Sequence, residues 1–319
     1  MSIACGIDIG TNSFRLLVAE VQDGRLHPLA HELVTVRLGE GLWRSGRLSS
    51  AAMIRAEVAL ARFAATMASF PLHSVRICAT HAVRKAANSR EFLQRVLSLT
   101  GLRVEVLCDK EEARLALLGA LSALPETQLR HPLVLVDVGG GSTEIIRQTV
   151  PLSEPQVISL PLGAVGLTEE FGADCQGMRK KIRAMLDPPL RSLEGKGPAR
   201  HNSLMIASGG TVTSLAAFAL GLERYDAQRV QNYTLSQAKL DNLVARLTAL
   251  SPGERNGVPG LAEGRGEIIV AGAVVLQELQ LALACPSLLV SDAGLLEGIL
   301  LSGAQGRHGQ NSQNDPLSL

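Results

Sequence analysis

Aromatic side chains are scarce: they make up 3% of the 319 residues, with one tryptophan and two tyrosines. Stacking platforms for single-stranded nucleic acid or for sugars are not to be expected from so few rings. An excess of either charge is also missing. Thirty-one Lys and Arg face 30 Asp and Glu, a formal charge of +1, which excludes a globally basic nucleic-acid binder while leaving room for a local basic cleft. The five cysteines (Cys5, Cys78, Cys108, Cys175 and Cys285) form no C-x-x-C pair, and their number is odd. A disulfide framework or structural zinc site does not follow from them; small buried groups in a reduced compartment do. The seven histidines show no H-E-x-x-H spacing. No basic segment followed by an apolar run opens the chain, and the apolar stretch 268–283 is interrupted by Gly272, Gln277, Glu278 and Gln280. The expectation is a cytoplasmic, soluble protein without a membrane partner.

What is present is ample core-forming material, 46% of the residues against 19% charged. At this length two domains are the natural division, here 1–124 and 125–301, with a polar tail at 302–319 expected to be disordered. Buried strands are expected at 3–9, 14–21, 26–38, 75–79 and 103–107, with Asp23-Gly24 as a hairpin turn. Helices are expected after Ser49, after Asn88 with Glu91 as a capping box, and after Asp109. Residues 39–46 and 253–264 read as loops. The pattern then restarts with strands at 133–138, 143–148, 156–160, 204–207 and 288–291. Helices are expected at 167–171, 177–193, 212–220, 236–250, 267–283 and about 293–302.

Two stretches echo each other. Asp8-Ile9-Gly10-Thr11-Asn12-Ser13 and Asp137-Val138-Gly139-Gly140-Gly141-Ser142 share D-[IV]-G-x-x-S, each between two strands. Two such turns, facing across a cleft, suit a phosphate: glycine lets backbone N–H groups approach closely, and hydroxyls add donors. Glycines also serve plain tight hairpins. Asp137 with Glu144, seven residues on, could share a metal ion. Ser208-Gly209-Gly210-Thr211 is a third candidate donor loop, at a helix start. None of the three is a P-loop. Glu112 has two readings, a capping acid three residues after Asp109 or a general base; spacing alone favours the cap. Arg84, beside Lys85, either solvates a helix start or clamps a phosphate.

Taken together, these segments resemble the exopolyphosphatase/guanosine pentaphosphate phosphatase (Ppx/GppA) family in its short two-domain form. The likeness is carried by residues 7–13, Ala79-Thr80 through Arg84 with Asn88 and Phe92, and Glu111-Glu112-Ala113-Arg114. DVGGGSTE from Asp137 to Glu144 is its most specific element. Residues 159–164, Gly209 to Thr213, Gly264-Arg265, Ala271-Gly272 and Ser291-Asp292 to Gly298 continue it in order.

The resemblance implies an α/β, duplicated ribonuclease-H-like fold (the actin, sugar-kinase and Hsp70 class) around a central cleft, with the last helix packing back on the first domain. It implies Mg²⁺-dependent release of terminal phosphate from inorganic polyphosphate by in-line attack of a water activated by Glu112. Arg84 would grip terminal phosphates; Asp137, Glu144 and Asp8 would hold Mg²⁺; Asn12, Ser13, Gly140, Gly141, Ser142, Gly210 and Thr211 would line the phosphate channel. Alternatives are pppGpp as substrate, a non-catalytic polyphosphate or alarmone sensor, and an ATP-dependent member of the same superfold. No nucleic-acid partner is expected, and apolar helices allow a homodimer. One departure stands out: Leu296 occupies the position of a family arginine before Glu297-Gly298.

Overall fold

The computed structural model describes residues 2–128, 131–148, 154–194, 203–262 and 264–305. The first half is a five-stranded sheet. Strands β1 (Ser2–Ile9), β2 (Ser13–Gln22) and β3 (Arg25–Thr35) run antiparallel, and β4 (Ser74–Ala79) and β5 (Val104–Val106) extend the β1 edge in parallel, giving the order β3-β2-β1-β4-β5. The β2–β3 turn is Asp23-Gly24, both at positive φ (51° and 73°), the backbone that a tight two-residue hairpin requires. Four helices belong to this half before its last: α1 (Leu42–Ser45), α2 (Ser50–Met67), α3 (His81–Lys85) and α4 (Ser89–Thr100). Ser49 caps α2 by accepting from the Ala52 N–H. Phe14, Phe63, Phe92, Met53 and Leu60 fill the core between sheet and helices.

The second half repeats the plan. Strands β6 (Leu133–Val138), β7 (Thr143–Gln148) and β8 (Gln156–Leu160) are antiparallel. Strand β9 (Leu204–Ser208) and, beyond it, β11 (Ser287–Val290) continue in parallel, with the short β10 (Thr234–Ser236) antiparallel at the edge. Apart from that edge strand, β8-β7-β6-β9-β11 has the connectivity of β3-β2-β1-β4-β5. This is the duplicated ribonuclease-H-like fold. Around it lie α6 (Ala164–Phe171), α7 (Cys175–Glu194), α8 (Gly210–Ala219), α9 (Ala227–Val230), α10 (Gln237–Ala249), α11 (Pro252–Asn256) and α12 (Ile269–Ala282). Helix α12 is buried almost all round, as the central helix of a core is. Its buried Glu278 is matched by Arg179 and Arg183 of α7. Among the described residues no helix is long and apolar enough to cross a membrane.

Two helices fill the joint between the sheets, α5 (Asp109–Ser122) and α13 (Leu295–Gln305). Leu115 and Ala116 of α5 and Leu295 and Ile299 of α13 share one core cluster with Cys78 of β4, Leu135 of β6 and Ile206 of β9. The two helices touch backbone to backbone: a Cβ added to Gly119 would lie 1.8 Å from the Gly294 carbonyl oxygen, and one on Gly298 would lie 1.9 Å from that of Leu115. Leu296 and Leu300 close over Ala4, Leu17 and Ala19 of the first sheet. The side chain at position 296 is therefore inside an apolar contact, where an arginine would be a buried charge.

Several expectations need correcting. Residues 39–46 hold the one-turn α1, and 252–256 form α11, closed by a capping box between Ser251 and Glu254. Strand β10 was not anticipated. Asn88 precedes α4 but makes no side-chain cap; its amide bridges the N–H and carbonyl of Leu48 instead, holding the loop before α2. Asp109 does not cap α5 either. The N-cap position is Cys108, and Asp109 is the first helical residue, paired with Arg84. Helix α13 runs from Leu295 to Gln305, past the expected end at about 302. The rest of the expected tail, 306–319, lies outside the described residues. All five cysteines are free, with Cys5, Cys78 and Cys285 buried.

Candidate active site

The two echoing turns are built alike. In each, the glycine after the Asp-Ile or Asp-Val pair donates its N–H to the serine carbonyl three residues on: Gly10 to Ser13 at 3.2 Å, Gly139 to Ser142 at 2.9 Å. Each is held from behind by the segment that follows its half's third strand. The Asn12 carbonyl accepts from Val36 and Arg37, and the Thr11 carbonyl from Gly39. The carbonyls of Gly139 and Gly140 accept from Ala164 and Val165. A trans peptide places N–H opposite C=O. Anchoring these carbonyls behind the turns therefore aims the N–H groups of Asn12, Ser13, Gly140 and Gly141 forward, into the cleft.

The turns meet tip to tip. A Cβ on Gly140 would fall 3.1 Å from Thr11 Cβ, and one on Gly141 would fall 2.7 Å from Thr11 Oγ1 and 2.5 Å from the His81 ring. Glycine at these two positions makes room for the opposing turn. The third loop is shaped in the same way. Gly209, at φ 92°, leaves space for Asp137 Oδ1, and Gly210 for the Arg265 guanidinium.

Between the turns is a small cavity of about 80 Å³. Of the residues the sequence singled out, Asp8, Asn12, Ser13, Glu112, Asp137, Gly140, Gly141, Ser142, Glu144 and Gly210 all line it. Two do not. Thr211 is buried with its side chain against Gly272 of α12. Arg84 does not line it either: its guanidinium donates to Glu112 Oε2 at 2.8 Å and to the Leu107 carbonyl at 2.6 Å, and pairs with Asp109. In this structure Arg84 is engaged with Glu112, Asp109 and the Leu107 carbonyl, a geometry that orients the Glu112 carboxylate.

Cations do enter the cleft, from two residues to which the sequence reading gave no role. Arg15 donates to Asp8 Oδ2 from Nη2 (2.7 Å) and Nε (3.1 Å). Arg265 lines the cavity beside Gly210. The signal for Arg15 was available, since Arg15 follows Asp8 by seven residues as Glu144 follows Asp137. The pairs are register partners across their hairpins.

The acids lie in surroundings that oppose their ionisation. Burial pushes the Glu112 carboxyl up to about 7; Arg84 pulls against this, and the charges of Asp8 and Asp137 add to it. Glu144 is raised well above the ordinary range, first by burial and then by Glu112 and Asp137, despite hydrogen bonds from Ser142 and Ser159. Asp137 is raised by burial and Asp8, with Arg15 opposing. Burial lowers Arg265 to about 10, which leaves it charged at neutral pH. Carboxylate oxygens of Asp109, Glu112 and Glu144 lie within 4.8 Å of one another. Only Glu144 of that trio belongs to the set expected to hold a metal, although Asp8 and Asp137 face the same cavity.

The family model of the Ppx/GppA phosphatases matches residues 17–306. The chain belongs to the Ppx/GppA phosphatase family. Among Ppx/GppA relatives, a Mycobacterium tuberculosis protein named exopolyphosphatase 2 is 33% identical, over 93% of this chain and 97% of its own length. Exopolyphosphatase 1 of Mycobacterium bovis is 29% identical, over 92% and 86%. Of solved structures, the Aquifex aeolicus Ppx/GppA family member superposes with a TM-score of 0.77 at 30% identity, covering 96% of this chain and 98% of that one. An exopolyphosphatase from Cytophaga hutchinsonii gives 0.86 at 26%, with the same coverage.

Proposed function

We propose that this Ppx/GppA phosphatase hydrolyses the terminal phosphoanhydride of inorganic polyphosphate. The observation that carries the reading is the buried Glu112, held by Arg84 in a cavity faced by two opposed N–H-presenting turns. Phosphoryl transfer to water asks for in-line positioning and charge stabilisation more than for covalent chemistry. Glu112 takes a proton from the attacking water, whose oxygen bonds to the terminal phosphorus. The bridging P–O bond breaks, and its electron pair leaves with the shortened chain. A carboxyl titrating near neutrality suits that task. The N–H groups of Asn12, Ser13, Gly140 and Gly141 meet the phosphoryl oxygens, and Arg15 and Arg265 meet the departing charge.

The acids also fit Mg²⁺. Asp8 Oδ1 is buried with no hydrogen-bond partner, Asp137 feels the charge of Asp8, and Glu144 feels those of Glu112 and Asp137. These three would hold the ion, which when bound neutralises charge on the phosphoryl oxygens.

One observation favours a second substrate. A cavity of about 400 Å³ adjoins the site and shares Arg15, Gly209, Gly210 and Arg265 with it. Leu33, Leu261 and Tyr225 line it, as do the acids Glu223 and Asp292. Its size and mixed walls also admit the nucleoside of pppGpp. The test is phosphate release with Mg²⁺ from short polyphosphate, long polyphosphate, pppGpp and ATP in parallel. Glu112→Gln should fold normally and lose about 10²- to 10⁴-fold in kcat. Near-normal release by that variant refutes the assignment. Binding of polyphosphate without release from any substrate would make the protein a sensor.

A further inference from the structure

The catalytic cavity has a neighbour on each side. Opposite the cavity behind Arg15 and Arg265 lies another, of about 260 Å³, between the α1 loop of the first half and α6 of the second. It shares Thr11, His81, Gly140 and Gly141 with the catalytic cavity. The partition is thin, because the His81 ring lies directly against Gly141. Beyond it the walls are Leu42, Trp43, Val165 and Gly166, with Lys85 at the side. At its rim the halves are tied together. Glu169 Oε1 accepts from the Gly41 N–H at 2.8 Å, and Lys181 sits 4.6 Å above the Trp43 ring.

The in-line reaction gives this cavity a direction. Glu112 is held by Arg84, on the same short helix α3 that carries His81 and Lys85. The attacking water therefore sits on the α3 side, and the leaving chain departs toward Arg15 and Arg265. After cleavage the free phosphate contains the water's oxygen and lies on the α3 side. The shortened chain still occupies the other exit. We propose that inorganic phosphate leaves past His81 through the cavity lined by Trp43, while the shortened chain stays bound.

The chemistry suits passage rather than storage. Burial and the neighbouring Arg84 and Lys85 depress His81 to about 4, so its imidazole is neutral and does not trap an anion. Lys181 is matched by Glu170; Lys85 at the side offers a passing dianion a single attraction, and Leu42, Trp43 and Val165 add none. This role rests on the hydrolase reading, and the test separates the two.

Gly166 lies in α6 with nothing within 4 Å of a Cβ built on it. Leucine there fills the cavity at a position where it is a better helix former. In rapid-quench hydrolysis of polyphosphate, Gly166→Leu should keep its first turnover within about twofold of wild type. Later turnovers should slow about tenfold as release becomes limiting, leaving a burst of roughly one phosphate per site. Unchanged later turnovers, or first and later turnovers falling together, would overturn the proposal. A second readout needs no turnover. Trp43 is the only tryptophan of the chain, so millimolar inorganic phosphate should alter the fluorescence of wild type and not of Gly166→Leu, with chloride at equal ionic strength as control. A response without hydrolysis of any substrate would sink the hydrolase reading and keep the anion route. Hydrolysis with a silent Trp43 and no burst would sink the route and keep the hydrolase.

Discussion

The hairpins β1–β2 and β6–β7 have the same strands, the same turn-closing hydrogen bond and an aspartate at the same place, and they have diverged at two points. The first point is the tip. Thr11 and Asn12 in one turn face Gly140 and Gly141 in the other. Two turns nested this closely cannot both carry side chains at their tips, so one has been stripped to glycine. The second point is the residue opposite the aspartate, which is Arg15 beside Asp8 and Glu144 beside Asp137. One hairpin is internally neutralised and brings a cation to the cleft. The other sets its aspartate opposite a second acid, the buried Glu144, instead of a cation, and a metal ion would answer that pair. A duplicated fold thus supplies both signs of charge to one cleft.

Removing the acid that sets the second hairpin apart should have the largest effect. Glu144→Gln is expected to lower phosphate release by about 10²- to 10³-fold with an unchanged melting temperature or a higher one, measured by kcat across a Mg²⁺ titration and by thermal melting. If activity survives, the division of roles between the hairpins is wrong. Arg15→Gln comes next. It leaves the buried Asp8 carboxylate without its partner, which should destabilise the fold by roughly 3 kcal/mol in urea unfolding. Adding Asp8→Asn should recover part of that loss, and no recovery would mean that the pair is not what stabilises this hairpin.

The pH dependence tests Glu112, which belongs to neither hairpin. As the proposed base it would act deprotonated, so kcat/KM should rise about tenfold per pH unit up to about 7 and then level off. Stability should move the opposite way. The folded carboxyl keeps a proton that the unfolded one loses above its ordinary 4.5. Stability therefore falls as pH rises from 4.5 to about 7 and is flat beyond; urea midpoints at the ends of that window would show it. The smallest effect separates two equivalent glycines. A Cβ on Gly10 meets the Ser13 carbonyl oxygen at 2.7 Å, and one on Gly139 meets that of Ser142 at 3.1 Å. Gly10→Ala should destabilise by about 1–3 kcal/mol and Gly139→Ala by less. Equal losses would mean that the turns are not as unequal as their geometry.

Much of this was legible in the sequence because it is local. Hairpin turns, buried strands and the repeated D-[IV]-G-x-x-S follow from residues close together in the chain. What escaped was decided across long separations. Asp109 and Glu112 have the spacing of a capping pair, yet Arg84, distant in sequence, claims both. Asn88 has the look of a cap and is instead bound to Leu48. For Arg84 the residues leave two readings and the family resemblance implies a phosphate ligand; nothing local shows that two acids would occupy it. The one-turn helices α1 and α11 and the three-residue β10 carry too few residues for a period to show.

The packing of α13 on the first sheet also bears on how the chain is made. Synthesis runs from β1 onward, and Ala4, Leu17 and Ala19 stay uncovered until Leu296 and Leu300 are made. At ordinary elongation rates that interval is a few tens of seconds, roughly 15 to 55. The half that leaves the ribosome first is thus the half completed last. For that interval its bare sheet face is the surface on which a nascent-chain chaperone, or a second unfinished copy, would find purchase.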